Sequence, residues 1–183
     1  MSGPHAEPES EVVGAHRHPD VMAGRHLELS VVTPMGAVLA RRADEVVAPG
    51  VLGEFCVLPG HIPFLAGLRC GVLTLRSGAA RESLAVGTGY VQVGAGDRVR
   101  VLVERAVAPG DVDLDAAGAE VREIEAELKR GAGAPGELAA LAARLDWAHA
   151  RIAVVERGRV ISRTSSDRAE AADSVTVERD AKK

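Results

Sequence analysis

Aromatic residues are scarce in this chain of 183 residues. Phe, Trp and Tyr make up 2% of it, whereas apolar residues make up 46%. A buried core must therefore be assembled from Val, Leu, Ala and Ile, which are among the residues most often found inside folded proteins. The formal net charge is −4 and no long run is strongly basic, so the composition argues against a dedicated nucleic-acid-binding protein.

Long apolar runs and closely spaced cysteines are also missing. No stretch approaches the ~20 apolar residues that a membrane-spanning helix needs. The N-terminal region has neither the apolar core of a signal peptide nor the acid-poor composition of a transit peptide. The two cysteines, Cys56 and Cys70, form no CxxC motif, so we expect reduced, buried thiols. These absences predict a cytosolic globular protein.

Polar sequence without hydrophobic periodicity lies at both ends of the chain. Residues 1–24 and 159–183 are predicted to be disordered extensions, because they hold few apolar side chains to bury. His16 and His18 form an HxH pair, but a disordered segment supplies no third ligand at fixed geometry, so we expect no metal site. We also hypothesise that translation starts at Met22, since nothing before it has a pattern that predicts folding. An intact mass that matches the full chain would contradict this hypothesis.

Short alternating runs, separated by Gly and Pro turns, extend over residues 25–108. The run from Leu27 to Val31 places apolar residues on one face, and Ser77-Gly78 separates two further runs as a hairpin turn does. Repeated short strands of this kind are typical of an antiparallel β-sandwich or flattened barrel. The runs leave no room for helical crossovers, so a parallel sheet is not expected.

The hydrophobic period changes at Pro109-Gly110, and residues 109–158 are predicted to form a helical hairpin. Apolar residues now recur at intervals of three and four, as along one seam of an α-helix. The first seam is Leu114, Ala117, Val121, Ile124 and Leu128, and the second is Leu138, Leu141, Leu145, Ala148, Ile152 and Val155. We expect the helices to pack antiparallel on each other and only weakly on the β-domain. The predicted fold class is β + α, an N-terminal antiparallel β-sandwich followed by a C-terminal antiparallel two-helix hairpin.

The stretch from Gly53 to Leu65, GEFCVLPGHIPFL, predicts a rigid corner where an extended run meets the turn Pro59-Gly60. Glu54 and His61 are a candidate acid–base pair in this corner. However, no GxSxG, HExxH or Walker motif accompanies them, and an active site needs a nucleophile, a base and a charge stabiliser together. We therefore favour a structural or interface role over catalysis and expect no cofactor.

Basic residues accumulate on the second predicted helix, among them Arg144, Arg151 and Arg157. They are compatible with a solvated helix face, whose ion pairs each contribute only about 0.3 kcal/mol. They are also compatible with a surface aimed at an acidic partner, because complementary charge sets specificity and the association rate. The charge counts alone favour the solvated face.

The order of the parts and several motifs resemble the epsilon subunit of F-type proton-translocating ATP synthases. The resemblance covers roughly Leu27 to Glu156. Its most specific pieces are the Pro59-Gly60-His61-Ile62-Pro63 corner, the GTGYVQV run that begins at Gly87, the pair Leu114-Asp115 and the ending from Ala150 to Glu156. The resemblance implies a non-catalytic rotor subunit with a β-sandwich and a helical hairpin.

The resemblance also implies partners and interface residues. In the family the β-sandwich binds the gamma subunit and touches the c-ring, and the residues carried over to that interface are Glu54, Pro59, Gly60 and His61. The family's hairpin folds against the sandwich or extends along gamma, where its basic helix meets the catalytic alpha/beta assembly and impedes ATP hydrolysis. The residues carried over to this inhibitory contact with beta are Arg144, Arg151 and Arg157. Such a subunit associates with the cytoplasmic face of the bacterial membrane only through its complex.

One family motif is degenerate in this chain. Some bacterial members bind ATP through Leu-Asp-x-x-Arg-Ala at the start of the hairpin, where this chain has Leu114, Asp115, Gly118 and Ala119. A guanidinium is the natural partner of a phosphate, so glycine in its place argues against a bound nucleotide. A hypothesis from another class of protein is a free-standing β-sandwich ligand-binding module with a coiled-coil hairpin, which predicts a stable monomer.

Overall fold

The computed structural model describes residues 25–131 and 134–180, with side chains described through residue 158. The strands are β1 (Leu27–Thr33), β2 (Gly36–Ala43), β3 (Glu45–Gly50), β4 (Gly53–Val57), β5 (Phe64–Leu68), β6 (Gly71–Ser77), β7 (Ala80–Val86), β8 (Gly89–Gly94), β9 (Arg98–Val103) and β10 (Ala106–Val107). A 3₁₀ turn (Pro109–Asp111) leads to the helices α1 (Leu114–Arg130) and α2 (Pro135–Asp180). The predicted N-terminal extension, with His16, His18 and Met22, lies outside the described residues.

The strands form two layers along one hydrogen-bonded path. Its order is β10-β7-β6-β3-β5-β8-β9-β1-β2, and β4 pairs with β3 beside this path. We call β10, β7, β6, β3 and β4 the first sheet, and β5, β8, β9, β1 and β2 the second sheet. The two sheets join where Gly50 of β3 pairs with Leu68 of β5. β2 ends the path and is therefore the edge strand of the second sheet.

Alternation along the strands builds the core between the two sheets. In β9, buried Val99, Val101 and Val103 alternate with exposed positions. The core residues of the first sheet include Val46, Val57, Leu73, Leu75, Leu84 and Val86, and those of the second include Leu27, Leu29, Val31, Val91, Val93, Val99 and Val101. Burying each such side chain contributes roughly 1.5–3 kcal/mol relative to leaving it exposed. The core is thus made of Val and Leu, as the lack of aromatic residues predicts.

The predicted β-sandwich with a two-helix hairpin is confirmed, but the expectation of antiparallel pairing throughout is wrong for one pair. β1 pairs with β9 in parallel, with Leu29 opposite Val99 and Val31 opposite Val101. A parallel pair needs a long connection. The whole run of chain from β2 to β8 supplies that connection, so no helical crossover is required.

The two helices form the predicted hairpin and bury part of its predicted seam. The N-cap of α1 is Asp113, whose side chain accepts a hydrogen bond from the amide of Ala116 at 2.9 Å. Buried seam residues are Ala117 and Ile124 on α1 and Leu141 and Ala148 on α2. The backbone of α2 continues as helix to Asp180, whereas the polar sequence from residue 159 onward predicts disorder. The prediction of disorder rested on the polar composition of this segment. A polar helix can nevertheless extend beyond the packed seam.

A second face of α2 packs on the outside of the first sheet. Ala150 and Val154 of α2 and Val72 and Ala85 of the sheet form a buried cluster. The expectation of weak contact with the β-domain is therefore corrected. Val72 and Ala85 pair across β6 and β7, and small side chains at these outward positions let the helix approach closely. The hairpin thus covers the first sheet.

Replacing Gly89 by alanine tests the tight pairing of β8 with β9. A Cβ atom at this position would lie 2.0 Å from the carbonyl oxygen of Leu102 and 2.8 Å from the Cα of Val103. Because backbone atoms cannot move aside cheaply, Gly89→Ala is expected to lower the free energy of unfolding by about 3 kcal/mol in urea denaturation. The matched control is Gly110→Ala, where a Cβ meets no atom within 4 Å, and it should change stability by less than about 0.5 kcal/mol. Equal effects of the two substitutions would contradict the described pairing.

Candidate functional site

The predicted corner forms the connection between β4 and β5. The amide of His61 donates to the carbonyl of Leu58 at 3.1 Å, and Gly60 has a φ of 84°, which suits glycine. The His61 ring lies 4.8 Å from the Phe64 ring, measured between centroids. Pro59 is buried, while Gly60 and His61 are exposed. The corner is thus a tight turn that presents an imidazole at the surface.

Asp97, in the turn between β8 and β9, clamps this corner. Its Oδ1 accepts a hydrogen bond from the amide of Gly60 at 2.6 Å, and its Oδ2 accepts one from Arg25 Nη2 at 2.8 Å. The Gly60 amide, followed by the side chain of Arg25, holds the pKa of the Asp97 carboxyl below its ordinary value of 3.8. Asp97 also has a φ of 60°, a conformation that aspartate tolerates better than most residues. The carboxylate thereby ties three separate segments together.

Glu54 lies at the other end of β4 and does not meet His61. Glu54 is the second residue of the strand. The remaining residues of β4 extend over roughly 10 Å at ~3.4 Å per residue, and this length separates Glu54 from the corner. Its Oε1 accepts a hydrogen bond from Arg157 Nη2 of α2 at 2.8 Å. The structure therefore does not assemble the candidate acid–base pair. It divides the predicted interface residues between two ends of the strand.

All three arginines of the predicted inhibitory surface are engaged within the chain. Arg144 Nε lies 3.6 Å from Glu120 Oε1 of α1, and Arg151 Nη2 donates to the other oxygen of the same carboxylate. Arg157 pairs with Glu54. The Arg151 guanidinium also lies 5.8 Å from the centroid of the Trp147 ring. In this conformation the basic residues hold the hairpin together and join it to the sandwich.

Trp147, the one tryptophan of the chain, lies where the hairpin meets the first sheet. It packs against the cluster of Val72, Ala85, Ala150 and Val154. The Arg105 guanidinium lies 5.0 Å from its ring centroid, within the range of a cation–π interaction. Trp147 lies outside the predicted seam of α2, so the seam pattern predicted no role for it.

The degenerate nucleotide motif lies in the first turns of α1. Asp115 is an acidic residue of the first turn, and the helix continues through Gly118 and Ala119. A Cβ at Gly118 would come within 3.5 Å of Arg122 Nη1, so a guanidinium does approach this part of the helix. The absence of a bound nucleotide stays a prediction.

The outer face of the second sheet, which we call the open face, was not predicted as a site from the sequence. The strand register aligns one row of residues across it, namely Gly67, Tyr90, Leu102 and Val32. The next row is Leu65, Gln92, Arg100, Ser30 and Ala40, and the last is Gly94, Arg98, Glu28 and Arg42. Tyr90 is 60% exposed and Leu65 is 69% exposed. The open face is therefore apolar at one end and basic at the other. The alternation of residues along each strand is the sequence signal that could have identified its outward apolar residues.

The cysteines and acidic residues give no sign of a redox or metal centre in the described part of the chain. Cys56 and Cys70 are both free, although Cys56 is exposed rather than buried as expected. Burial, with the nearby Asp146 carboxylate, raises the pKa of the Cys70 thiol to about 11. No group of three or more His, Cys, Asp or Glu among the described residues is placed to hold a metal ion. None of the helices searched there is apolar over a length that would cross a membrane.

The stability of the corner is expected to depend on pH through Asp97. Because its folded pKa lies below the ordinary value of 3.8, the carboxylate stabilises the fold above that value and loses its effect as pH falls through the folded pKa. In acid titrations of thermal stability, Asp97→Asn should show a smaller loss between about pH 5 and pH 2 than the wild type. Asp111→Asn, at an exposed aspartate of the 3₁₀ turn, is the matched control and should follow the wild type. Parallel curves for all three proteins would contradict the clamp.

Comparison with known proteins agrees with this architecture. The family model for the ATP synthase delta/epsilon chain β-sandwich domain matches residues 26–109. The ATP synthase epsilon chain 2 of Syntrophotalea carbinolica is 45% identical over 132 residues, which cover 72% of this chain and 95% of that protein. The ATP synthase epsilon chain of Geobacter metallireducens is 46% identical over 103 residues, which cover 56% of this chain and 74% of that one.

A solved structure resembles the fold as a whole. A chain in the cryo-EM structure of the Euglena gracilis mitochondrial ATP synthase (OSCP/F1/c-ring) superposes with a TM-score of 0.63 at 17% identity. The match covers 82% of this chain and 91% of that one. At this identity the likeness concerns the fold, whereas the Syntrophotalea match concerns the sequence along nearly the full length of the relative. The chain belongs to the family of ATP synthase epsilon chains.

Proposed function

We propose that this chain is the epsilon subunit of an F-type proton-translocating ATP synthase. It is a non-catalytic component of the central stalk that links the gamma subunit to the c-ring. The observation that carries this proposal is the 45% identity to an epsilon chain over 95% of that protein's length. The partners are gamma, the c-ring and the alpha/beta catalytic subunits, and the subunit is peripheral at the cytoplasmic face of the membrane. No cofactor or nucleic acid is part of this function. The match along 95% of an epsilon chain favours this function over the alternative of a free-standing ligand-binding module.

The gamma subunit binds the open face. The apolar row that includes Tyr90, Leu102 and Val32 crosses three adjacent strands, and Val51 lines the same cleft. Protein interfaces are built around such apolar centres, with tyrosine enriched among the residues that contribute most to affinity. The hairpin packs on the first sheet, so the open face is available to a partner while the hairpin is folded down.

The corner contacts the c-ring. Gly60 and His61 are exposed there, and Ile62 beside them is 75% exposed. The Asp97 clamp and the buried Pro59 fix the turn in one shape. A rotor contact must transmit torque without deforming, and a turn tied to two other segments meets that requirement. Glu54, at the other end of β4, contributes to the hairpin contact described next.

The hairpin inhibits ATP hydrolysis when it leaves the sandwich. In the folded conformation Arg157 pairs with Glu54, and Arg144 and Arg151 share Glu120. Release breaks the Arg157–Glu54 pair and frees that arginine for the acidic surface of a beta subunit. Both partners are more than two-fifths exposed, so the pair contributes at most about 1 kcal/mol, or roughly a fivefold bias between the two conformations. The buried cluster of Ala150 and Val154 on Val72 and Ala85 adds to this bias, so a binding partner must supply a correspondingly larger difference in affinity to release the hairpin.

Charged residues on the apolar row test the gamma interface. Tyr90→Glu with Leu102→Glu should abolish co-purification of gamma with this chain, because a carboxylate in the centre of an interface loses its hydration without gaining a partner. Both positions are exposed in the isolated chain, so its thermal unfolding should change little. The matched control is Leu138→Glu, an exposed leucine on α2, which should leave gamma bound. Retention of gamma by the double variant would contradict the placement.

Opposite effects of Glu54 and Arg157 substitutions test the hairpin mechanism. Glu54→Gln frees Arg157 without removing it, so the ATPase activity of the complex should fall by up to about fivefold. Arg157→Gln removes the inhibitory contact itself, so the ATPase activity of the complex should rise. Deletion of residues 111–183 should also raise this activity and leave the complex assembled. Arg122→Gln, at an exposed arginine on α1, is the control and should have no effect. If both substitutions shifted activity in the same direction, or if the deletion left it unchanged, the hairpin would not work in this way.

A further inference from the structure

A groove lined by arginines crosses the basic end of the open face. It lies over β2, β1 and β9 and has a volume of about 430 Å³. Its charged lining residues, all of them exposed, are Arg41, Arg42, Arg98, Arg100 and Glu28. Four guanidinium groups around a single carboxylate give the groove a positive potential. The charge of the groove is therefore opposite in sign to the formal net charge of −4 of the whole chain.

The arginines of the groove have no ionic partner among the described residues. Arg98 Nε donates to the carbonyl of Ala95 at 3.2 Å, which is an uncharged acceptor. Arg42 and Arg98 lie opposite Glu28 in the strand register, yet neither forms an ion pair with it. None of the four guanidinium groups lies within ion-pair distance of a described carboxylate. The groove therefore has charge to offer to an anionic ligand.

The strand register spreads the guanidinium groups over an area. Arg42 and Arg98 lie on the two sides of β1, so their backbones are roughly 10 Å apart at ~4.8 Å per strand. Arg100 lies on the same face two residues further along β9, another ~7 Å. Gathering these groups onto one small anion would force them together against their mutual repulsion, whereas a surface that carries many phosphates engages each of them in place. The spacing thus favours an extended anionic surface over a free ion.

Exposed apolar side chains lie at the same end of the sandwich as the groove. Arg98 begins β9, and the residue before it, Asp97, accepts the hydrogen bond from the amide of Gly60 in the corner. The corner is therefore next to the groove. Ile62 in the corner and Leu65 in the middle row of the open face are both largely exposed. Apolar groups thus stand beside the guanidinium groups.

A membrane surface of anionic phospholipids matches both the charge and the apolar groups. Its head-group phosphates accept the paired hydrogen bonds that a guanidinium donates, and its negative potential attracts clustered arginines. Its interfacial region takes up apolar side chains that lie beside the charges. An acidic protein would have to supply an apolar surface in register with its carboxylates, whereas a membrane presents phosphates and an apolar layer at every point.

We propose that this end of the sandwich binds the surface of an anionic phospholipid membrane. Arg42, Arg98 and Arg100 contact head-group phosphates, and Ile62 enters the interfacial region at the edge of the corner. The proposed function places the corner on the c-ring, so the groove beside the corner then faces the head groups around the ring. The inference goes beyond that function, because membrane binding is a property of the isolated chain and is tested without the complex.

Sedimentation of the full-length chain with vesicles tests the proposal. Vesicles of phosphatidylglycerol and phosphatidylcholine should bind the wild type, and vesicles of phosphatidylcholine alone should not. Arg42→Gln with Arg100→Gln should weaken binding by roughly tenfold or more, because two of the charges that approach the surface are lost. The matched control, Arg122→Gln with Arg130→Gln, makes the same charge change at exposed positions on α1 and should bind like the wild type.

Two further measurements identify the ligand. Ile62→Ser leaves the charge unchanged and should weaken vesicle binding by roughly threefold or more, because less apolar surface enters the interfacial region. Inorganic phosphate should release the chain from the vesicles no more than sodium chloride does at the same ionic strength, because both then act only by screening. Gamma should co-purify with the Arg42 and Arg100 variant as it does with the wild type, since these residues lie outside the apolar row.

Four results would each overturn the proposal. The first is failure of the wild type to bind the anionic vesicles, and the second is equal binding by the wild type and the Arg42 and Arg100 variant. The third is release by phosphate beyond the effect of chloride, which would make the groove a site for a free anion. The fourth is loss of gamma from the arginine variant, which would assign the groove to a protein partner. Failure of the proposed function would appear instead as absence of gamma from the wild-type chain, with vesicle binding unchanged.

Discussion

The contact between α2 and the first sheet determines how the other surfaces are used. Ala150 and Val154 of the helix pack on Val72 and Ala85 of the sheet. All four side chains are small, so the helix lies close to the strands and excludes water from the interface. Because this contact occupies the outside of one sheet, the outside of the other remains open. The same contact brings Arg157 to Glu54 and Trp147 to Arg105.

The molecule combines a sandwich closed by a large core with a hairpin that packs on it through a smaller buried cluster. The sandwich is closed by many buried Val and Leu side chains, each stabilising by roughly 1.5–3 kcal/mol. The hairpin is attached by one apolar cluster and by one partly exposed ion pair, Arg157–Glu54, and such a pair contributes at most about 1 kcal/mol. In the proposed function, partner binding moves the hairpin while the core of the sandwich stays intact. This division fits the proposed function, in which the sandwich transmits rotation and the hairpin regulates ATP hydrolysis.

Local patterns in the sequence predicted the local parts of this structure. Alternation in β1 and β9 and the three-four spacing in α1 depend only on near neighbours, so they are readable in one dimension. The parallel pairing of β1 with β9 is a long-range result of the chain's path and has no local signal. The Arg157–Glu54 pair joins residues 103 positions apart, so charge counts on α2 did not reveal it. Ala150 and Val154 were missed because small residues give a weak pattern and their partners are fixed only by strand register.

The corner illustrates the same limit at the functional site. Its turn was evident from Pro59-Gly60, but Asp97 and Arg25, which hold it, come from distant segments. Glu54 and His61 are close in sequence and yet lie at opposite ends of β4, because an extended strand rises ~3.4 Å per residue. Their proximity in sequence suggested a single acid–base site, whereas the structure places the two residues in separate locations. The open face, by contrast, required the register of four strands before its apolar row could be recognised.

The most direct test of this account is a photo-crosslink from position 90 in the assembled ATP synthase. A benzoylphenylalanine in place of Tyr90 should crosslink to gamma when the complex is irradiated. The same probe at Glu82, an exposed position on β7 of the first sheet, should not. Crosslinking to gamma from position 82 but not from position 90 would contradict the claim that the open face is the surface by which this chain joins the rotor.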